Sequence, residues 1–226
     1  MLQTVAILIF AREISEESSR KLLVAKNRQA NKRIFQNLNI LTNQKSHATQ
    51  IPVFVSSQLD LDSKATFGQN ISRAISCVFE KGFEKVICIG NDCPALQKEH
   101  LIAAAEALNT TDAVIGPDFR GGTYLIGLSK KVFDTNSFQN LPWQTSELLE
   151  HLVMSFCGKR IQILDQLSDI NSFQDLYFYP TARHIISFLL KFIDNLSLGQ
   201  FSLGFSKKNE FFLNCLSFRG PPILGF

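Results

Sequence analysis

In this chain of 226 residues, the most promising place for chemistry is a single carboxylate. An apolar run, Val86-Ile87-Cys88-Ile89, ends in Gly90 and continues as Asn91-Asp92-Cys93-Pro94. The run has the length of a buried strand, so Asp92 stands where that strand breaks off into a loop. In an open α/β sheet, ligands bind in the crevice outside the carboxyl ends of the strands. Asp92 there points to a site, and its plainer alternative is an Asx-type turn ahead of the helix beyond Pro94. Two further segments carry polar groups at candidate loop positions: Asp118-Phe119-Arg120-Gly121-Gly122 and Asp169-Ile170-Asn171.

The elements that must hold these groups follow from periodicity. Thr4 to Phe10 reads as a first buried strand, and Ser15 to Leu41 as a helical region with Leu22, Leu23, Ile34, Phe35 and Leu38 at helical intervals. A second strand is expected over Ile51 to Val55 and a helix over Gly68 to Phe79. The strand at Val86 follows, then a helix over Lys98 to Leu108 and a strand over Ala113 to Ile115. Strands alternating with helices imply a largely parallel sheet with both faces covered. Gly121 to Leu128 is a strand with no helix before it, so an antiparallel or detached position is expected and the sheet becomes mixed. A helix over Thr145 to Phe156, capped by Thr145 or Ser146, and a short strand over Ile161 to Leu164 complete the sheet region. Ser172 caps a helix through Phe178, and Pro180 restarts the chain into a helix over Ala182 to Leu196.

Composition narrows the class. Hydrophobic residues at 45% and charged residues at 19% describe a globular protein with one core. A net charge of +3 is too small to imply a nucleic-acid partner. The basic cluster Arg20, Lys21, Lys26, Arg28, Lys32 and Arg33 reads as a solvated helix face, because no aromatic residues interleave it. The five cysteines lack metal-ligand spacing and are odd in number, so reduced thiols in a cytoplasm are the simplest account. No run is long enough to span a membrane: the densest, Ile185 to Ile193, is broken by Lys191. Phe201, Phe205, Phe211, Phe212, Phe218 and Phe226 make the end of the chain a candidate partner surface, or a hairpin folded on its own domain.

GNDCPAL, then VIGP, GGTYLIGL, LPW and DINSFQDL, in that order between about Phe67 and Leu176, resemble the DUF2064 family. These are glycosyltransferase-like proteins of the GT-A (nucleotide-diphospho-sugar transferase) superfamily. The segment opening at Phe67-Gly68-Gln69 fits the same pattern. The resemblance implies a GT-A, Rossmann-like α/β domain over 1–180, leaving 181–226 as a C-terminal helix and Phe-rich hairpin, a candidate homodimer contact. It further implies a bacterial protein, a nucleotide or nucleotide-sugar ligand, and Mg²⁺ or Mn²⁺ to neutralise the diphosphate. Asp92 and Asp169 match the catalytic carboxylates, with Asp92 and Asn171 holding metal. Arg12, Gly90, Asn91, Cys93, Pro94, Asp118, Arg120, Gly121, Gly122, Tyr124 and Trp143 would line the ligand. Tyr124 and Trp143 would stack on a base or sugar, or else belong to the core.

Three departures from the family pattern bear on activity. Arg120-Gly121-Gly122 stands where Asp-Gly-Gly is common, with Asp118 as the nearest substitute, and Asp169-Ile170-Asn171 stands for Asp-x-Asp. Both weaken a divalent-ion site. The first loop, from Arg12 to Lys21, has no glycine or proline to bring backbone amides to phosphate, leaving Arg12, Arg20 and Lys21 as charges. Arg120 could then bind diphosphate in the metal's place. The expected function is glycosyl transfer from a nucleotide-diphosphate-sugar donor. The alternatives are nucleotidyl transfer to a small phosphorylated acceptor, or a catalytically degenerate nucleotide-binding or assembly protein.

Overall fold

The computed structural model describes residues 4–21, 23, 27–172 and 175. Six strands form one sheet: β1 (Val5–Ile9), β2 (Val53–Val55), β3 (Lys85–Ile89), β4 (Ala113–Pro117), β5 (Thr123–Ser129) and β6 (Ile161–Ile163). Their spatial order is β2-β1-β3-β5-β4-β6. The pairs β1–β2, β1–β3 and β4–β6 are parallel, whereas β5 runs antiparallel to both β3 and β4. This is the mixed, mostly parallel sheet expected, and the antiparallel strand is the one that arrives without a helix.

Helices α1 (Ile14–Arg20), α2 (Arg28–His47), α3 (Phe67–Glu80), α4 (Lys98–Ala107), α5 (Thr135–Gln139) and α6 (Leu148–Ser155) cover the sheet. Alternation along the strands divides the core. Ala6, Leu8, Val86, Cys88, Ala113 and Ile115 face α3, α5 and α6, while Ile7, Ile9, Ile87, Ile89 and Val114 face α4. The buried residues of α3 (Ile71, Ala74, Ile75, Val78, Phe79) recur at three-and-four spacing, and a Thr66–Gln69 capping box fixes its start.

Several local expectations are corrected. The Ser15–Leu41 region is two helices, because the Asn27 side chain accepts from Ala30 N–H and starts α2 afresh. Helix α6 starts at Leu148 with Glu147 in the N-cap position. Thr145 Oγ1 instead donates to Pro142 C=O and accepts from Glu147 N–H, which stabilises a turn ahead of the helix. Helix α5 has no counterpart in the periodicity, being shorter than two turns. Strand β5 opens at Thr123 rather than Gly121. The helices expected through Phe178 and over Ala182–Leu196, and the Phe-rich tail with its homodimer surface, lie outside the described residues.

Topology places a crevice. From β1 the chain proceeds to β2 on one side of the sheet, and from β3 it proceeds to β4 on the other. The carboxyl ends of β1 and β3 therefore form a topological switch point, where an open α/β sheet leaves room for a ligand.

Candidate functional site

A cleft of about 550 Å³ opens there. Arg12 enters from the loop after β1, Asn91 and Asp92 from the end of β3, and Asp118 and Arg120 from the β4–β5 loop; Asp169 and Asn171 come from beyond β6. Ile170 N–H donates to Asp92 C=O at 2.8 Å, so the Asp169-Ile170-Asn171 segment is laid along the β3 loop. Ile170 itself is buried with Leu23, Ile34, Phe35 and Leu38, which anchors that segment to α2. Apolar and aromatic side chains line the cleft as well, Phe10, Phe67, Ile71 and Trp143, and the Arg12 guanidinium lies over the Phe67 ring at 5.5 Å from its centroid. Phe67 stands edge-on to Phe10 at 5.2 Å and tilted to Trp143 at 5.6 Å between ring centroids. Gln144, beside Trp143, holds φ 65°, a left-handed conformation that non-glycine residues adopt at a cost and that clusters at binding sites.

The charged end of the cleft is organised by α1. Lys21 closes that helix as its C-cap, where a cation meets the negative end of the helix dipole. Its Nζ donates to Asp92 Oδ2 at 2.5 Å and lies 3.1 Å from Glu17 Oε1. Glu17, only 7% exposed, also lies 3.6 Å from Arg12 Nη1. Burial pulls the Lys21 ammonium down, but Asp92 and Glu17 together outweigh it and hold its pKa above the ordinary lysine value. The placement depends on Asn31 of α2, fully buried, whose side-chain amide donates to Lys21 C=O at 2.6 Å and to Ser18 C=O, and whose carbonyl accepts from Leu23 N–H at 2.9 Å.

Asp169 has the opposite environment. Burial, together with the nearby carboxylates of Asp92 and Asp118, lifts its carboxyl well above the usual range, and Oδ1 is a buried oxygen with no hydrogen-bond partner. Asp169→Asn removes that charge, and the native state should gain stability near neutral pH. The sign follows from linkage. A carboxyl whose folded pKa is raised weakens the fold as pH climbs from its ordinary value of 3.8 through the folded value, and contributes nothing below both. The advantage of Asp169→Asn over wild type should therefore be largest at high pH and vanish toward pH about 4, as pH-dependent thermal unfolding would record. An advantage that grows in acid would refute this account.

Other candidates are placed as follows. Asp118 lines the cleft. Its Oδ1 accepts from the backbone N–H groups of Arg120 and Gly122, at 2.6 and 2.8 Å, and so holds the β4–β5 loop in shape. Arg120 reaches the cleft rim, but its guanidinium pairs with Asp175, a carboxylate 5% exposed that also accepts from Asn171 and Ser172 N–H. A Cβ on Gly90 would stand 2.8 Å from Asp92 Oδ1, so glycine here leaves that carboxylate its room. Tyr124 is core: its ring covers Gly116 and its hydroxyl donates to Asp165 C=O. Trp143 lines the cleft while its indole N–H donates to Phe138 C=O. Cys93 is buried and its thiol is pushed far up, first by burial and then by Asp169, so it is no nucleophile. Pro94 C=O accepts from Lys45. His100 Nδ1 accepts from Gln97 N–H at the start of α4, a structural cap.

Glu17, Asn31 and Asp175 belong to this arrangement and are absent from the sequence candidates, whereas Lys21 is among the charges the sequence offers to phosphate. The Glu17–Lys21 spacing was the available signal, since residues four apart on a helix meet. It could not say that the pair turns inward.

Sequence comparison decides the family. The profile of DUF2064, described as uncharacterized proteins conserved in bacteria, matches residues 23–145, more than half of the chain. The chain belongs to the DUF2064 family. No curated protein matches it in sequence. Among solved structures, a candidate nucleotide-diphospho-sugar transferase from Desulfovibrio desulfuricans G20 is similar to this DUF2064 chain at 18% identity and a TM-score of 0.66. That match covers 86% of this chain and 96% of the other. A Mycobacterium tuberculosis Rv0371c homolog from Mycobacterium sp. strain JC1 matches at 8% identity and a TM-score of 0.50, covering 85% and 100% of the two chains. These likenesses establish a nucleotide-diphospho-sugar-transferase-like fold. No helix among the described residues is long and apolar enough to cross a membrane.

The Mg²⁺ or Mn²⁺ implied by the resemblance fits this donor set poorly. Asp92 is already engaged by Lys21 at 2.5 Å, Asn171 brings no charge, and Asp118 has one carboxylate oxygen taken up by its own loop. Among the described residues no three His, Cys, Asp or Glu side chains converge as a metal site would require.

Proposed function

We propose that this DUF2064 protein binds a nucleotide-diphosphate-sugar in the switch-point cleft and transfers its glycosyl group to an acceptor. The observation that carries this reading is a cleft lined by both cations and aromatic rings. Cations at Arg12 and Lys21 suit a diphosphate, and the wall of Phe10, Phe67 and Trp143 suits a flat base or a sugar face. Asp169, which lines the same cleft as Asp92, would take the acceptor's hydroxyl proton in its ionised form. Gly90, Asn91 and Asp92 would border the diphosphate, with Gly121 and Gly122 shaping the facing loop.

A second reading, a nucleotide-binding protein without turnover, is favoured by the Lys21–Asp92 ion pair and by Arg120 tied to Asp175. Nucleotidyl transfer to a phosphorylated acceptor remains the rival activity on the same phosphate-binding end. A thermal-shift panel of UDP-, GDP-, ADP-, CDP- and dTDP-sugars and nucleoside triphosphates, with Mn²⁺, Mg²⁺ or EDTA, tests all three. A true ligand at about 100 times its Kd stabilises by roughly 2.7 kcal/mol, or about 5 to 11 °C for a chain of this size. Release of free nucleoside diphosphate from the responding donor in the presence of acceptors separates transfer from binding. No shift with any nucleotide would overturn the proposal.

A further inference from the structure

Resting on that reading of the cleft, we propose that Lys21 is the resident cation of the site. Its tethered ammonium pairs with Asp92, the carboxylate that would hold a divalent ion, and it supplies the charge on which a diphosphate is held without metal.

Geometry and charge carry the argument. Asp92 sits at the carboxyl end of β3, at the switch point, and its Oδ2 accepts from Lys21 Nζ at 2.5 Å. Glu17 Oε1, 3.1 Å away, accepts on a second side. An ammonium has three donors in all, and these two carboxylates engage two of them, leaving one for a phosphoryl oxygen. The position is enforced. Lys21 ends α1, its backbone N–H donates to Glu17 C=O, and its carbonyl is held by the fully buried Asn31. Arg12, 3.6 Å from the other oxygen of Glu17, provides a second cation on the same wall. Asp92 and Glu17 are thus the counter-ions that hold Lys21 in the cleft, and Asp92 is not the group that carries the ligand.

This assignment reverses what each substitution should do. If Asp92 held a metal that bridged the diphosphate, Asp92→Asn would abolish binding and EDTA would do the same. With Lys21 as the cation, Asp92→Asn removes a competitor for the ammonium while Glu17 and the Asn31 tether still hold it, so pyrophosphate affinity should hold or rise. Lys21→Gln should weaken it by about 10- to 100-fold, the loss of one hydrogen bond to a charged group.

The experiment is calorimetric titration of the full chain with inorganic pyrophosphate in EDTA for wild type, Lys21→Gln and Asp92→Asn, with folding checked by thermal unfolding. Alongside it, Mn²⁺ is titrated into wild-type protein alone and followed by electron paramagnetic resonance. Expected are pyrophosphate binding in EDTA, its loss in Lys21→Gln, its retention in Asp92→Asn, and no manganese site tighter than about 1 mM. Pyrophosphate that binds only with metal, a tight manganese site lost in Asp92→Asn, or a folded Lys21→Gln with unchanged affinity would each overturn the assignment. Should Lys21→Gln fail to fold, the Asp92→Asn and manganese results decide alone. The two proposals fail separately. Pyrophosphate binding in EDTA without any nucleotide response would sink the transferase reading and leave Lys21 in place, whereas metal-dependent nucleotide binding would do the reverse.

Discussion

Gly121→Ala is expected to cost about 2–5 kcal/mol, combining the penalty of left-handed backbone with overpacking against a rigid neighbour. Gly121 holds φ 82°, and a Cβ added there would stand 2.0 Å from Ser146 C=O and 2.9 Å from its carbon. Both are backbone atoms, and Leu149 N–H donates to Gly121 C=O at 2.9 Å, so the loop and the start of α6 cannot separate without losing that bond. Gly158 supplies the control. It too has positive φ, at 76°, but nothing lies within 4 Å of its added Cβ. Gly158→Ala should therefore lose only about 1 kcal/mol. Denaturant unfolding of both variants measures the difference, and equal losses would show that the Ser146 contact yields freely. The glycine of the Gly-Gly pair is thus required by α6, whatever a ligand needs.

Asn31→Ala is the second large effect. The residue is fully buried on α2 and satisfies three backbone groups of the Ser18–Leu23 connection. Removing its amide leaves buried carbonyls and an N–H without partners, at about 1–3 kcal/mol each before any relaxation. The total should be about 3–5 kcal/mol, at the upper end of single-residue effects. The same change frees the end of α1, so ligand affinity at the charged end of the cleft should fall together with stability. Urea unfolding gives the first quantity, and pyrophosphate titration below the unfolding midpoint gives the second. Full stability in Asn31→Ala would mean that the connection is held by the packing of Leu23 instead.

The two variants act on the site from outside it, through the loops that carry its groups. Gly121 fixes the β4–β5 loop against α6, and Asn31 fixes Lys21 at the mouth of the cleft. Asp118 works in the same way, turning its carboxylate back onto Arg120 and Gly122 N–H groups. A side chain that reads as a ligand candidate can thus have one of its oxygens committed to backbone.

Much of the fold was legible in the chain itself. Apolar runs such as Val86–Ile89 and Ala113–Ile115 report buried strands because a strand covered on both faces has no polar alternation to hide it. The three-and-four pattern of α3 reports one buried helix face, and the missing helix before β5 left it an antiparallel or detached position, since a parallel neighbour needs a crossover. The ordered motifs from Phe67 onward pointed to the family. Asp92 at the end of β3 followed from the same logic, because a strand end is a local property of the chain.

What only the tertiary structure decided are the pairings between distant segments. Lys21 and Asp92 are joined across the cleft, Arg120 and Asp175 across its rim, and Ile170 lies along the β3 loop. Helical periodicity gives the direction of a side chain relative to its own axis and nothing about what stands opposite, so the basic cluster around Lys21 read as a solvated face. Whether a charged group is an exposed surface residue or the cation of a site depends on burial and on partners far away in the sequence. Those are set when the sheet closes the switch point, because only then do the loops after β1 and β3 share one crevice.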